Sequence, residues 1–170
     1  MKKRVFLTSI ITIAILVASC LLLILPGQFA TIKGQAYSGY EVIFHYANID
    51  GINYLAENNP NTSAIVTGIL GLVFILFAFV SLIFAKKSTA LPIIGGSFSF
   101  LAGLMFITMQ LALNVMYKGL GELRWVSYLI GSLLIVFGVI LVVLGAFAVK
   151  EESTVAATKQ NYSYLKSNKK

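Results

Sequence analysis

Residues 64–85 read AIVTGILGLVFILFAFVSLIFA, an apolar run with no charged side chain. A helix rises about 1.5 Å per residue, so roughly 20 such residues cross about 30 Å of hydrocarbon. A helix on the surface of a water-soluble domain breaks such a run with a polar face. Three more stretches have the same character: Val5–Leu25, Ala90–Met116 and Trp125–Val149. All thirteen basic and six acidic residues of the 170-residue chain fall outside the four runs. The reading is an all-α integral membrane protein, a single domain built as a four-transmembrane-helix bundle over residues 1–170.

Charge orients the spans. With the N-terminus in the cytoplasm, Lys2, Lys3, Arg4, Lys86, Lys87, Lys150, Lys159, Lys166, Lys169 and Lys170 lie inside, and Lys33, Lys118 and Arg124 lie outside. Basic residues collect on the cytoplasmic side, so both termini are expected there. The net charge of +7 is then a topology signal with some attraction to anionic lipid. Nucleic acid is not an expected partner, because no basic and aromatic surface outlasts this accounting. Few charges, abundant Ile, Lys, Asn and Tyr, and a single Cys suggest a bacterium with an AT-rich genome and a cell-membrane location.

The connections follow. Pro26–Ser63 is the long outer loop, and Lys150–Lys170 is a polar cytoplasmic tail read as partly disordered. Within the loop, Tyr37–Tyr46 is rich in aromatic and β-branched residues flanked by turn formers, which favours a strand or hairpin. The loop is too apolar for disorder and is expected to fold down as a small cap, with a short β-hairpin, on the helix ends. Its Asn61-Thr62-Ser63 sequon abuts the second span, where a glycan acceptor is poorly reachable. The second and third spans are joined only by Lys86-Lys87-Ser88-Thr89, so they are antiparallel neighbours. Thr62 or Ser63 is expected to cap the second span and Ser88 or Thr89 the third. Tyr117, Trp125 and Tyr128 sit at interface height, as an aromatic belt does.

Small residues recur at sevens: Ala64, Gly71, Ala78 and Ala85 in the second span, and Gly131, Gly138 and Gly145 in the fourth. The third span carries Gly95, Ser99 and Gly103 at spacings of four. Such rows permit the close backbone approach that holds helices together in lipid. Their first use is the chain's own bundle, and self-association into a homo-oligomer is the second.

Chemistry-bearing residues are few. Gln110 and Asn114 are one turn apart on the third span and share a face in its outer third, directed toward the bundle or the outer loop. Interhelical hydrogen bonding is their expected role, and lining a substrate path is the alternative. His45 is the only histidine, and Glu41 alone stands near it, too little for a metal site. Phosphate-loop, HExxH and paired-carboxylate patterns are absent, and no base is in sequence reach of a nucleophile. No enzyme activity, metal or cofactor is expected. Val17-Ala18-Ser19-Cys20 follows a charged and apolar N-terminal region and resembles a bacterial lipobox, in which Cys20 would be lipidated and the preceding peptide removed. An uncleaved first span with a membrane-buried Cys20 is the simpler expectation.

Four spans, a long first outer loop with strand character, a short second loop and cytoplasmic ends resemble, in layout only, the claudin and peripheral-myelin-type tetraspans. The segment Ser38-Gly39-Tyr40-Glu41-Val42-Ile43-Phe44 is similar to one that follows the first span in small four-span proteins of low-GC Gram-positive bacteria and mollicutes. That resemblance implies no activity and assigns no functional residue. The expected function is non-enzymatic, a structural or interaction protein that touches membrane lipids and other membrane or envelope proteins. Tyr37, Tyr40, Phe44, Tyr46 and Tyr54 are the candidate outer contact surface. The alternative is an accessory subunit of a transporter or secretion complex, docked through the small-residue faces.

Overall fold

The computed structural model describes residues 2–44 and 62–167. In chain order these form α1 (Lys2–Leu22), β1 (Ala30–Ile32), β2 (Gln35–Tyr37), α2 (Gly39–Ile43), α3 (Ser63–Ile83), α4 (Ala90–Met116), β3 (Gly121–Leu123) and α5 (Trp125–Ser167). Among the described residues, four helical segments are long and apolar enough to cross a membrane: Lys3–Leu22, Ser63–Ile83, Ala90–Met116 and Trp125–Val155. Each turns large apolar side chains outward, among them Leu21, Leu76, Leu111 and Val136. Exposed apolar surface on every helix is what a hydrocarbon solvent accepts and water penalises.

The inward faces mix large apolar side chains, Leu16, Leu82, Phe106, Met109 and Leu141 among them, with small and hydroxyl-bearing ones. Val5, Ser9, Thr12, Leu16 and Ser19 of α1, with Leu23 just past its end, alternate at spacings of four and three, and all are buried. The spacing is that of a heptad seam between packed helices. The Ser9 hydroxyl donates to the Val5 carbonyl and that of Thr12 to the Thr8 carbonyl, each at 2.9 Å. Ser19 Oγ has no hydrogen-bond partner among the described residues.

Helix α4 is the centre of the bundle, packed along α3 on one side and α5 on the other, while α1 leans mainly on α5. The turn Phe84–Thr89 makes α3 and α4 antiparallel neighbours, as its length required. The N-cap of α4 is Thr89, whose side chain makes no cap bond; Ser88 Oγ, one residue earlier, accepts from the Ala90 N–H at 3.2 Å. The Thr89 hydroxyl instead donates to Glu152 at 2.9 Å and ties α4 to α5. Neither capping candidate of α3 fills that role by side chain: Thr62 makes no cap bond, and the Ser63 hydroxyl donates across to the Ala112 carbonyl at 2.9 Å.

Two expectations are corrected. The strand reading fails over Gly39–Ile43, which is helical; Tyr37 ends β2 of a hairpin that lies earlier, and Tyr46 lies outside the described residues. Ser38 Oγ accepts from the Glu41 N–H at 3.2 Å while the Glu41 carboxylate accepts from the Ser38 N–H at 2.7 Å. This reciprocal capping box satisfies two otherwise orphan amides and starts α2 despite its β-branched content. The hairpin turns instead at Lys33-Gly34, both with positive φ, 51° and 80°, the signature of a two-residue primed turn. Tail residues 150–167 are also helical, continuing α5 without a break, where partial disorder was expected. No Gly or Pro stops the helix there, and Ala156, Ala157, Lys159 and Gln160 are good helix formers.

A third strand joins the hairpin. β1 pairs antiparallel with β2 (Thr31 opposite Ala36) and with β3 (Thr31 opposite Glu122), giving the order β2-β1-β3. Both loops at this end of the bundle thus share one sheet. Lys3, Lys86 and Lys87 gather at the opposite end.

Candidate functional site: the cap and its seat

Short strands hold little by themselves, so the cap must be fixed from below. Phe29, Ile32, Val42 and Ile43 point down and are buried. Phe29 meets Phe106 of α4 edge to face, centroids 6.3 Å apart. Ile43 presses into the space left by Gly68 of α3, where an added Cβ would stand 2.5 Å from Ile43 Cγ1. Gly39 similarly makes room for Leu23 and Phe29.

Polar groups close the remaining edge. β3 would leave the Gly121 carbonyl and Leu123 N–H unpaired on its far side. Gln110 of α4 supplies both partners: its amide NH₂ donates to the Gly121 carbonyl at 2.9 Å, and its carbonyl accepts the Leu123 N–H at 2.6 Å. One side-chain amide stands in for a neighbouring strand and removes an open sheet edge. The same NH₂ reaches Asn114 at 3.0 Å. Gln110 and Asn114 do share a face, and they face the second loop rather than bridging two helices. Beside them the Arg124 guanidinium donates to the Gly27 carbonyl. The Arg124 backbone N–H reaches the Phe29 carbonyl at 2.8 Å, and the Trp125 indole N–H reaches Gln28 at 2.9 Å.

The five candidate contact residues divide. Tyr37 is buried, and its hydroxyl donates to Gln35 at 2.8 Å, so its role is packing within the cap. Tyr40 on α2 and Phe44, the residue that ends it, are exposed, with ring centroids 4.8 Å apart. Tyr46 and Tyr54, with His45, lie outside the described residues.

The small-residue rows are used within the chain. A Cβ at Gly138 would meet the Gly96 carbonyl at 2.7 Å, and one at Gly103 the Gly131 carbonyl at 2.6 Å. Between these contacts, Ser99 Oγ donates to the Leu134 carbonyl at 3.0 Å, buried. Gly145 receives Ile93, Gly71 faces Phe106, and Gly95 faces Leu82 and the Ala78 carbonyl. The row Gly95, Ser99, Gly103 therefore serves two interfaces, since Gly95 looks to α3 and the others to α5. The residue that completes the α5 side is Gly96, legible only as the partner of Gly103 seven residues on. Gly68 and Gly39 are likewise seats for the cap and not helix-pairing sites.

Cys20 is exposed on α1, within the continuous helix. Removing the residues before it would take away Val5, Ser9, Thr12, Leu16 and Ser19, most of the α1 seam. The geometry shows an exposed aromatic pair on the cap and no nucleophile aligned with a base among the described residues. The chain matches no protein-family model, and comparison with curated proteins returns no match.

Proposed function

We propose that this chain is a four-span protein of a bacterial cell membrane, with cytoplasmic termini and an outer cap, that works without catalysis through protein contacts of that cap. The observation that carries the reading is the exposed Tyr40–Phe44 pair on a cap in which Phe29, Ile32, Val42 and Ile43 are buried. Aromatic side chains held on a rigid element lose little entropy on binding and concentrate in contact hot spots. A photoreactive phenylalanine analogue at position 40 or 44 is expected to give a discrete protein adduct in intact membranes, either with a partner or with a second copy. The same group at Lys118, at the same end but away from the pair, is expected to give none. Adducts equal at all three positions, or with lipid alone, would contradict the contact role.

A second reading, an accessory subunit docked within the membrane, draws on a different feature. An apolar furrow of ≈ 370 Å³ runs between α4 and α5, lined by Phe100, Leu101, Val139, Val142 and Val143 with Ser97. A docking helix would lie there and not on the glycine rows, which the bundle already fills.

A further inference from the structure

At the end of the bundle opposite the sheet, a cavity of ≈ 550 Å³ opens between the start of α1, the α3–α4 turn and α5. Its charged lining is Lys3, Lys86 and Lys87 against one carboxylate, Glu152. Glu152 is engaged by the Thr89 hydroxyl at 2.9 Å, and none of the three lysines is in an ion pair among the described residues. Lys86 Nζ lies 4.7 Å above the Phe6 ring, and Lys87 Nζ lies 4.7 Å above the Phe84 ring. Two of the three ammonium groups are thus positioned by aromatic faces.

We propose that this cavity binds the phosphodiester headgroup of an anionic phospholipid, an inference that rests on the membrane reading above. The other wall carries Val5, Phe6, Pro92 and Ala148, residues of the apolar segments. Lysines on one side and span residues on the other place the cavity where hydrocarbon gives way to headgroups. A soluble anion gains nothing from the apolar wall, whereas a lipid satisfies both sides. Basic pockets between membrane helices on the cytoplasmic side suit such headgroups. The bound lipid would bridge α1 to the α3–α4 turn, where direct contact between α1 and α3 is sparse.

The test is native mass spectrometry of the full chain from micelles holding equal phosphatidylglycerol and phosphatidylcholine. The unaltered chain is expected to retain phosphatidylglycerol about tenfold more often. Combined Lys3→Gln, Lys86→Gln and Lys87→Gln should bring the ratio near parity, while Lys→Arg at the same positions keeps it. Lys33→Gln with Lys118→Gln, at the sheet end, should also keep it. A preference that survives the three Gln changes, or is lost equally with the sheet-end pair, overturns the site. Displacement of the lipid by millimolar inorganic phosphate overturns the lipid as ligand in favour of a soluble anion. Should the Gln variant not fold, the melting temperature of the unaltered chain decides, since phosphatidylglycerol must raise it above its value in phosphatidylcholine. Alkaline carbonate extraction separates the two failures. A chain released from membranes refutes the membrane reading, and a chain retained without lipid preference refutes the site alone.

Discussion

Gly138→Ala is expected to lower the stability of the bundle by about 2–3 kcal/mol, near the upper end for overpacking. The melting temperature in detergent should fall by roughly 4–12 °C. The reason is what the new methyl would strike: the Gly96 carbonyl at 2.7 Å, the Phe100 nitrogen at 2.7 Å and the Phe100 Cα at 3.0 Å. All three are main-chain atoms of α4, so no rotamer change relieves the clash and the helices must separate. Separation also weakens the Ser99–Leu134 hydrogen bond and the close van der Waals contact that holds helices in lipid. Gly138→Leu should leave no folded bundle. Gly71→Ala is the informative contrast, because its Cβ meets the Phe106 ring at 3.2 Å, a side chain that can tilt. Its cost should stay below about 1 kcal/mol. Equal melting temperatures for Gly138→Ala and Gly71→Ala would contradict the assignment of the α4–α5 seam.

Phe29→Ala should act at the other end and locally. Phe29 is fully buried, and emptying such a site costs about 3–5 kcal/mol. The helices keep their own backbone hydrogen bonds in hydrocarbon, so the loss falls on the seating of the cap. Amide exchange over Ala30–Tyr37 should accelerate by about a hundredfold or more, the equivalent of that free energy. Exchange in the α4–α5 seam should barely change. Cap amides that stay protected would mean that Gln110 and Arg124 alone hold the sheet.

The four long apolar helices were legible because length and composition suited to hydrocarbon are visible residue by residue, as in the run Ala64–Ala85. The short Lys86–Thr89 link likewise fixed the antiparallel neighbours. The cap was legible as an element and misread in detail. Val42, Ile43 and Phe44 carry strand propensity, but that propensity is weak beside a reciprocal cap, and Ser38 three residues before Glu41 was the signal to weigh. Lys33-Gly34 marked the true turn. Strand β3 could not be seen, since Gly121–Leu123 gains strand geometry only from Ala30–Ile32, far along the chain. Adjacent helix positions lie about 100° apart, so choosing Gly95 or Gly96 for the α5 seam needed the neighbour's position. In the tail, polarity suggested disorder, while propensity and continuity with α5 favoured helix.

The cap's contact role and the lipid cavity both depend on which end of the bundle faces out. The measurement that tests this most directly is labelling of intact cells with a membrane-impermeant maleimide, in a Cys20→Ala background. Lys33→Cys, in the β1–β2 turn, should label without permeabilisation, and Lys87→Cys should label only after it. The opposite pattern, or labelling of both positions in intact cells, would contradict the account.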